Sequence, residues 1–152
     1  MHRLIRRRKL ILGGINIPSS YGLLGHSDAD VLTHAICDAL LGAAAQKDIG
    51  VHFPSSNSAY KNISSIKLLK RVGSILKRLK YSVANIDSVI VAEKPKLDKF
   101  KSKMCKKIAQ ALNLSFKQVS VKATTTEGTG PTGRSEAISA YAVVLIKKDE
   151  NL

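Results

Sequence analysis

The chain has 152 residues, of which 44% are hydrophobic, so it is long enough to bury a core and too apolar for the disordered class. We expect residues 1–152 to form a single domain, since no repeat and no linker-like stretch divides them. No apolar run approaches the ~18–20 residues that cross a bilayer. The formal net charge of +14 attracts anions, but most lysines fall on helix-like stretches, where a solvated face is the simpler interpretation.

The hydrophobic patterns predict the element order β-β-α-α-β-α-β-β. Two short strands meet at the turn Gly13-Gly14, and a helix follows that Ser27 or Asp28 caps. A second amphipathic helix covers residues 61–80. The later elements are a strand in SVANIDSVIVAEKP, a helix in LDKFKSKMCKKIAQAL, a strand in QVSVKATT, a loop in TEGTGPTGR and a strand in SEAISAYAVVLIK. This alternation predicts an α+β fold, an α/β sandwich with helices on one face of a mixed sheet.

The last predicted strand is apolar on both of its faces. One face carries Ile138, Ala140, Ala142, Val144 and Ile146, and the other carries Ala137, Tyr141, Val143 and Leu145. A strand of this kind requires burial on both sides, whereas the helices cover only one side of the sheet. We therefore expect the chain to oligomerise through its sheet, which a sedimentation measurement of a monomer would contradict.

Chemistry-bearing side chains concentrate in the segment GHSDADVLTHAICD. Asp30, His34 and Asp38 are four residues apart, so they stack along one stripe of a helix. His26 and Ser27 stand at the helix entrance, where free backbone amides favour an anion. A neutral imidazole on a rigid helix is a good zinc ligand, and the scarce acidic residues crowd into this part of a basic chain. The alternative is a capped helix with one histidine at its polar edge.

The segment KATTTEGTGPTGR combines hydroxyls, glycines and a guanidinium at the end of a predicted strand. Hydroxyls, open backbone amides and the Arg134 fork suit a phosphate or diphosphate. Glu127 is then a natural oxygen ligand for a Mg²⁺ ion shared with that diphosphate. The loop lacks the GK[ST] of a Walker A motif, and a glycine-rich hairpin turn with a surface arginine is the open alternative.

Two further segments are less specific. The loop DIGVHFPSSN has the composition of a lid, and the Lys-Pro step in AEKP stands where a rim of a pocket would be. Neither segment indicates a particular ligand by itself.

Taken together, these segments resemble the 2-C-methyl-D-erythritol 2,4-cyclodiphosphate synthase family of the non-mevalonate isoprenoid pathway. The matching motifs are GLLGHSDADVLTHAICDALLGAAA, DIG, HFP, AEKPKL and VKATTTEGTGPTGR, in the family's order and spacing. The resemblance implies a homotrimer of ferredoxin-like α/β subunits with three active sites at subunit interfaces. The implied substrate is 4-diphosphocytidyl-2-C-methyl-D-erythritol 2-phosphate, whose 2-phosphate attacks the β-phosphorus. CMP leaves and a cyclic diphosphate closes, which is the reaction of a cyclising phosphorus–oxygen lyase.

The resemblance also assigns roles to single residues. His2 and His34 would bind Zn²⁺ or another divalent transition metal, and Glu127 would hold Mg²⁺ or Mn²⁺ between the α- and β-phosphates. His26 and Thr125 would be the catalytic residues that position and stabilise the transferring phosphate. The methylerythritol end would contact Asp48, Ile49, Gly50, Phe53, Pro54 and Asn57. The cytidine pocket of a neighbouring subunit would include Ala92, Lys96, Leu97 and Thr124, and Ser27, Thr126 and Arg134 complete the substrate-binding set.

Two departures from the family pattern stand out. The lid usually reads Phe-Pro-Asp-x-Asp, but neutral Ser55 and Asn57 replace both carboxylates here. The family's Asp-x-His zinc motif matches only from x onward, with Met1 on x and His2 on the histidine. A catalytic zinc generally has three protein ligands, whereas this chain provides two, His2 and His34. We expect His2 to lie on a frayed terminus, followed by an arginine loop. Either the start was assigned one motif too late, at an internal valine codon, or the chain is a catalytically impaired remnant.

The main rival from another class is a small basic RNA-binding protein. Aromatic residues make up only 5% of the chain, and no aromatic strand for base stacking appears. The expected partners are therefore a cytidine diphosphate-type small molecule and further copies of this chain, with no nucleic acid and no membrane. Cys37 and Cys105 form no CxxC pair and the start lacks a proper apolar leader, so we expect buried thiols and a cytoplasmic location.

Overall fold

The computed structural model describes residues 1–148. The strands are β1 (His2–Arg6), β2 (Leu10–Leu12), β3 (Ile15–Ile17), β4 (Tyr21–Leu23), β5 (Tyr81–Val91), β6 (Val119–Thr124) and β7 (Ala137–Lys148). The helices are α1 (Val31–Ala43), α2 (Ile49–His52), α3 (Ser65–Arg78), α4 (Asp98–Leu112) and α5 (Gly130–Gly133). Short 3₁₀ turns lie at Ser58–Tyr60 and Phe116–Gln118.

Five of the strands form one mixed sheet in the order β4-β1-β7-β5-β6, and β2 and β3 form a separate hairpin. Only β5 and β6 run parallel among these pairs; the others are antiparallel. The carboxyl ends of β5 and β6 therefore lie at the same edge of the sheet, where the chain leaves both strands.

Helices cover one face of this sheet. The helix α1 packs on β7, α3 packs on β5, and α4 packs on β6. The core between the layers holds fully buried aliphatic side chains, among them Ile36, Leu40, Leu69, Ile86 and Ile138. The predicted α+β sandwich with helices on one face of a mixed sheet is confirmed.

The opposite face of the sheet is open and apolar along β7. The side chains of Tyr141, Val143 and Leu145 are 63%, 73% and 58% exposed, whereas Ala142 and Val144, which alternate with them, pack against the core. The predicted two-faced apolar strand is therefore present, and one of its faces is left open by residues 1–148.

The glycine hairpin and the start of α1 hold each other in place. Gly13 has φ +57°, and a Cβ atom there would lie 2.7 Å from the Cβ of Met104, so only glycine fits. The buried carboxylate of Asp30 accepts from the backbone N–H of Gly13 at 2.9 Å and of Gly14 at 2.6 Å. The same carboxylate caps α1 through the N–H of Thr33.

The structure differs from the sequence predictions at four local elements. The N-cap of α1 is Asp30, not Ser27 or Asp28, because Asp30 also binds the distant hairpin turn. The arginine loop is shorter than predicted: β1 covers His2–Arg6 and pairs with both β4 and β7, and only Arg7 and Arg8 of the run lie in the turn that follows. The strand β4 was missed because it has only three residues, and the loop TEGTGPTGR contains the single helical turn α5.

The expectation of buried thiols is met among residues 1–148. Cys37 and Cys105 are both free and buried. No helix in that range combines the length and the apolar character that crossing a membrane requires.

Candidate active site

One cavity of about 190 Å³ gathers most of the residues that the helix motif brought forward. We call it the histidine cavity. It is lined by His2, His26, Ser27, His34, Ile49, Gly50, Phe53, Ser55, Tyr60, Ile63 and Leu68. The strand β1, the entrance and first turn of α1, and the α2 region supply these side chains, which are far apart in the sequence. Tyr60, Ile63 and Leu68 are lining residues that the motifs did not indicate. Tyr60 and Ile63 precede α3, and Leu68 lies in its first turn.

The expectation that His2 lies on a frayed terminus is wrong. His2 is the first residue of β1, it pairs with Ile138 of β7, and its side chain is only partly exposed. Its Nδ1 lies 2.9 Å from the carbonyl oxygen of Leu24. A carbonyl oxygen only accepts, so Nδ1 carries the proton and the lone pair of a neutral His2 ring is on Nε2.

The second histidine, His34 in the first turn of α1, faces His2 directly. The Nε2 of His2 and the Nδ1 of His34 are 3.2 Å apart. The other nitrogen of His34, Nε2, lies 2.8 Å from the hydroxyl of Ser65 and 3.2 Å from that of Ser27. The cavity wall thus presents two imidazole nitrogens that point at each other.

This pair has the arrangement of two metal ligands. Two nitrogens bound at ~2.05 Å to a tetrahedral Zn²⁺ ion are about 3.3 Å apart, close to the 3.2 Å found between His2 and His34. Within residues 1–148, no group of three or more His, Cys, Asp and Glu side chains is placed to hold a metal. The described chain therefore fits a metal through two histidines, with the remaining positions open to other donors.

Burial keeps both imidazoles neutral. Desolvation lowers the pKa of His2 below 6.5, and the nearby His34 lowers it further. Desolvation also lowers the pKa of His34, while Asp28 and Asp38 act in the opposite direction. Neutral rings are the form that binds a metal.

The carboxylates around the helix bind backbone amides instead of the histidines. Asp30 caps α1, Asp38 accepts from the N–H of Ile49 at 2.7 Å, and Asp48 accepts from the N–H of Val51 at 3.0 Å. Arg8 also holds the helix entrance by donating to the carbonyl oxygen of Ser27. The acidic crowding that suggested a metal or catalytic site thus serves mainly to fix the loops around the cavity.

The predicted lid residues do not all reach the cavity. Ile49, Gly50 and Phe53 line it, and the Phe53 ring packs edge-on against Tyr60 with centroids 5.5 Å apart. Asp48 caps α2, Asn57 caps the following 3₁₀ turn, and Pro54 is exposed. The lid segment is built into the wall by its aromatic contact.

A second cavity of about 230 Å³ lies where β5 and β6 end, and it shares no lining residue with the first. It gathers the residues predicted for the cytidine pocket. Its lining consists of Ala92, Glu93, Pro95, Lys96, Leu97, Asp98, Ala123, Thr124 and Thr125. Those predicted site residues that line a cavity therefore fall into two separate groups on one chain.

The threonine loop, defined here as residues 124–134, follows β6 beside the second cavity. Thr125 donates to the carboxylate of Glu127. Glu93 accepts from the N–H of Thr126 at 2.9 Å and more weakly from that of Gly128 at 3.4 Å. The sequence analysis did not identify Glu93 as a residue that holds this loop. A usable signal was its position directly after β5, which runs parallel to β6 and so ends at the same edge of the sheet.

Arg134 is engaged within its own chain. Its guanidinium donates to both carboxylate oxygens of Glu136, at 2.8 and 3.1 Å. This contact holds the pKa of Glu136 below its usual value. A diphosphate contact by Arg134 would require the guanidinium to share or leave that exposed ion pair.

The model of the YgbB family matches residues 1–147. The curated 2-C-methyl-D-erythritol 2,4-cyclodiphosphate synthase of Pelotomaculum thermopropionicum is 59% identical over 148 residues, which are 97% of this chain and 91% of that protein. These matches do not support the alternatives of an impaired remnant or an RNA-binding protein.

Solved structures of similar proteins share this fold. IspF of Plasmodium falciparum in complex with CDP aligns with a TM-score of 0.85 at 30% identity, over 98% of this chain and 92% of that one. The bifunctional IspDF of Campylobacter jejuni aligns with a TM-score of 0.93 at 39% identity, over 97% of this chain. This chain spans only 40% of that longer bifunctional protein.

Proposed function

This chain belongs to the YgbB family, and we propose that it converts 4-diphosphocytidyl-2-C-methyl-D-erythritol 2-phosphate to 2-C-methyl-D-erythritol 2,4-cyclodiphosphate. The reaction releases CMP and is a metal-assisted intramolecular phosphoryl transfer, which makes the chain a cyclising phosphorus–oxygen lyase. The observation that carries the proposal is the facing pair His2 and His34 in the wall of a cavity that His26 and Ser27 also line. Such chemistry consists mostly of positioning and charge neutralisation.

The histidine cavity is the proposed place of the transferring phosphate and the methylerythritol end. His2 and His34 would hold Zn²⁺ or another divalent transition metal, which when bound neutralises charge on a phosphate oxygen. The exposed His26 ring lies at the same cavity and would donate to the phosphate. Ile49, Gly50 and Phe53 would bound the methylerythritol moiety, with Asp48, Pro54 and Asn57 shaping the loop around it.

The second cavity is the proposed cytidine pocket. Ala92, Lys96, Leu97 and Thr124 supply its walls, and a relative with 30% identity was solved in complex with CDP. Thr125 would stabilise the transferring phosphate, and Glu127 would hold Mg²⁺ or Mn²⁺ against the diphosphate. Thr126 and Arg134 would complete the diphosphate contacts from the same loop.

A homotrimer would unite the two cavities. Since they share no lining residue within one chain, the proposed site would combine one cavity from each of two neighbouring subunits. The exposed apolar face of β7, with Tyr141, Val143 and Leu145, supports packing of sheet against sheet. We propose a cytoplasmic location for this assembly, in keeping with the two free buried thiols.

Turnover and assembly can be measured on the full chain. Purified protein given the substrate with Zn²⁺ and Mg²⁺ is expected to release CMP in step with cyclic product, and Thr125→Val is expected to release it at least ~100-fold more slowly. Sedimentation is expected to give three copies, with Val143→Lys shifting the mass downward and Phe116→Lys, on another exposed apolar residue, leaving it unchanged. Salt-sensitive RNA retention without CMP release would refute the proposed reaction, and a wild-type monomer would refute the trimer.

A further inference from the structure

We infer that Ser65 and Asp28 are positioning residues that keep the proton of His34 on the nitrogen that faces away from His2. The inference rests on the proposed role of His34 as a metal ligand and adds the two residues that prepare it. The geometry that leads to it is the contact of Ser65 with both His34 and Asp28.

The contacts of Ser65 determine which way its hydroxyl points. Asp28 accepts from the Ser65 hydroxyl and, with its other oxygen, from the Ser65 backbone N–H at 2.9 Å. A carboxylate only accepts, so the single hydroxyl proton of Ser65 is committed to Asp28. Ser65 is fully buried, and its two hydrogen bonds to Asp28 hold it in place at the start of α3.

This commitment fixes the tautomer of His34. The Ser65 oxygen lies 2.8 Å from Nε2 of His34, and with its proton used it can only accept there. Nε2 therefore carries the ring proton, and the lone pair of neutral His34 is on Nδ1, towards Nε2 of His2. The carbonyl of Leu24 sets His2 in the complementary way, so two lone pairs meet at 3.2 Å.

Without Ser65, the nitrogen pair has a better arrangement available. A proton on Nδ1 of His34 would form a hydrogen bond to Nε2 of His2 and remove the repulsion between the lone pairs. Ser27 would permit this, because its hydroxyl, 3.2 Å from Nε2 of His34, keeps its own proton free to donate. That hydrogen bond would occupy both metal-facing nitrogens. The Ser65–Asp28 pair thus keeps the two histidines ready to bind a metal.

A purely structural role for the pair is the competing explanation. Ser64, the N-cap of α3, makes no side-chain capping bond, and Asp28 supplies an acceptor to the helix start through the Ser65 backbone N–H. Ser65→Ala keeps that backbone contact and removes only the hydroxyl. Ser65→Thr restores a hydroxyl, and Ser64→Ala is the matched neighbour that touches neither His34 nor Asp28 through its side chain.

The first readout is the His34 tautomer, measured by long-range ¹H–¹⁵N NMR on metal-free full-length protein above the ordinary histidine pKa of about 6.5. We expect the Nε2–H form in wild type, Ser65→Thr and Ser64→Ala, and a shift towards the Nδ1–H form in Ser65→Ala. An Nδ1–H tautomer in wild type, or an unchanged tautomer in Ser65→Ala, overturns the inference.

The second readout is the affinity for Zn²⁺ alone, measured in competition with a chelator. Ser65→Ala is expected to bind ~10–100-fold more weakly than wild type, with Ser65→Thr largely restored and Ser64→Ala unchanged. Equal affinity in Ser65→Ala and wild type overturns the inference. If Ser65→Ala changes both the tautomer and the zinc affinity but the wild-type protein releases no CMP, the proposed reaction is refuted and the positioning role stands.

Discussion

The histidine cavity and the threonine loop differ in how firmly one chain holds their polar atoms. In the cavity, partners set by the fold hold each ring: the backbone carbonyl of Leu24 holds His2, and the fully buried Ser65 holds His34. In the loop, Thr125 and Glu127 are exposed and bond mainly to each other. A metal-type site needs ligands set before binding, whereas a diphosphate can gather flexible donors around itself. The cavity is prepared by the fold, and the loop is left to be completed by substrate and partner.

The sharpest way to test this difference is to remove a prepared ligand. His34→Gln is expected to lower Zn²⁺ affinity and the rate of CMP release by more than ~100-fold, since loss of an outer partner alone typically costs ~10–100-fold. His52→Gln is the matched control, because His52 bonds the carbonyl of Gln46 and does not line the cavity. Zinc affinity in His34→Gln equal to that of wild type would contradict the conclusion that the fold prepares His34 as a metal ligand.

The second test measures how much the buried capping carboxylate of Asp30, beside the cavity, stabilises the folded chain. Asp30→Ala leaves the N–H groups of Gly13, Gly14 and Thr33 without their acceptor, so we expect a loss of about 2–3 kcal/mol in the free energy of unfolding. Asp48→Ala removes an exposed cap of a four-residue helix and is expected to cost under about 1 kcal/mol. Urea denaturation of both variants measures the contrast, and equal losses would contradict it.

The third test addresses a partly buried support of the loop, Glu93. Glu93→Ala removes the acceptor of the Thr126 and Gly128 amides, and we expect about a tenfold loss in kcat/KM, or ~1.4 kcal/mol. Glu93→Gln keeps an acceptor oxygen and is expected to retain most of the activity. Steady-state kinetics check both. If Glu93→Gln loses as much kcat/KM as Glu93→Ala, the activity depends on the negative charge of Glu93 and not on its hydrogen bonds to the loop.

The smallest expected effect is on stability against pH without metal. The pKa values of His2 and His34 are lowered in the folded chain, so between those values and 6.5 the unfolded chain binds more protons. Their contribution is therefore fully present above pH 6.5 and is lost as the pH falls through the folded pKa values. Chemical denaturation in EDTA is expected to show a steeper decline in wild type than in His34→Gln. If the free energy of unfolding falls equally with pH in both proteins, burial of His34 does not contribute to the pH dependence of stability.

Part of the fold was accessible to sequence reasoning because its signals are local. The apolar stripes of α3 and α4, the glycine turn before β3 and the strand β7 were all predicted, since each depends on neighbours within a few residues. The cap of α1 was assigned wrongly because Asp30 is selected by Gly13 and Gly14, sixteen and more positions away.

The candidate site divides in the same way. Sequence motifs placed His2, His26, Ser27 and His34 together, and these four do line one cavity. They did not indicate Ser65, whose contact with His34 spans 31 positions. No spacing rule connects residues of different elements that meet only after α3 has packed beside α1.

The sequence by itself determined the three long helices α1, α3 and α4, the hairpin and the family, because amphipathic spacing, glycine conformation and motif order are written along the chain. Only the tertiary structure decided that His2 lies in a paired strand, that most of the nearby carboxylates cap backbone amides, and that two lone pairs face each other. The reason is physical: burial and the choice of hydrogen-bond partner are properties of groups brought together in space. The proton on each imidazole is settled by Leu24 and Ser65, which no local pattern connects to it.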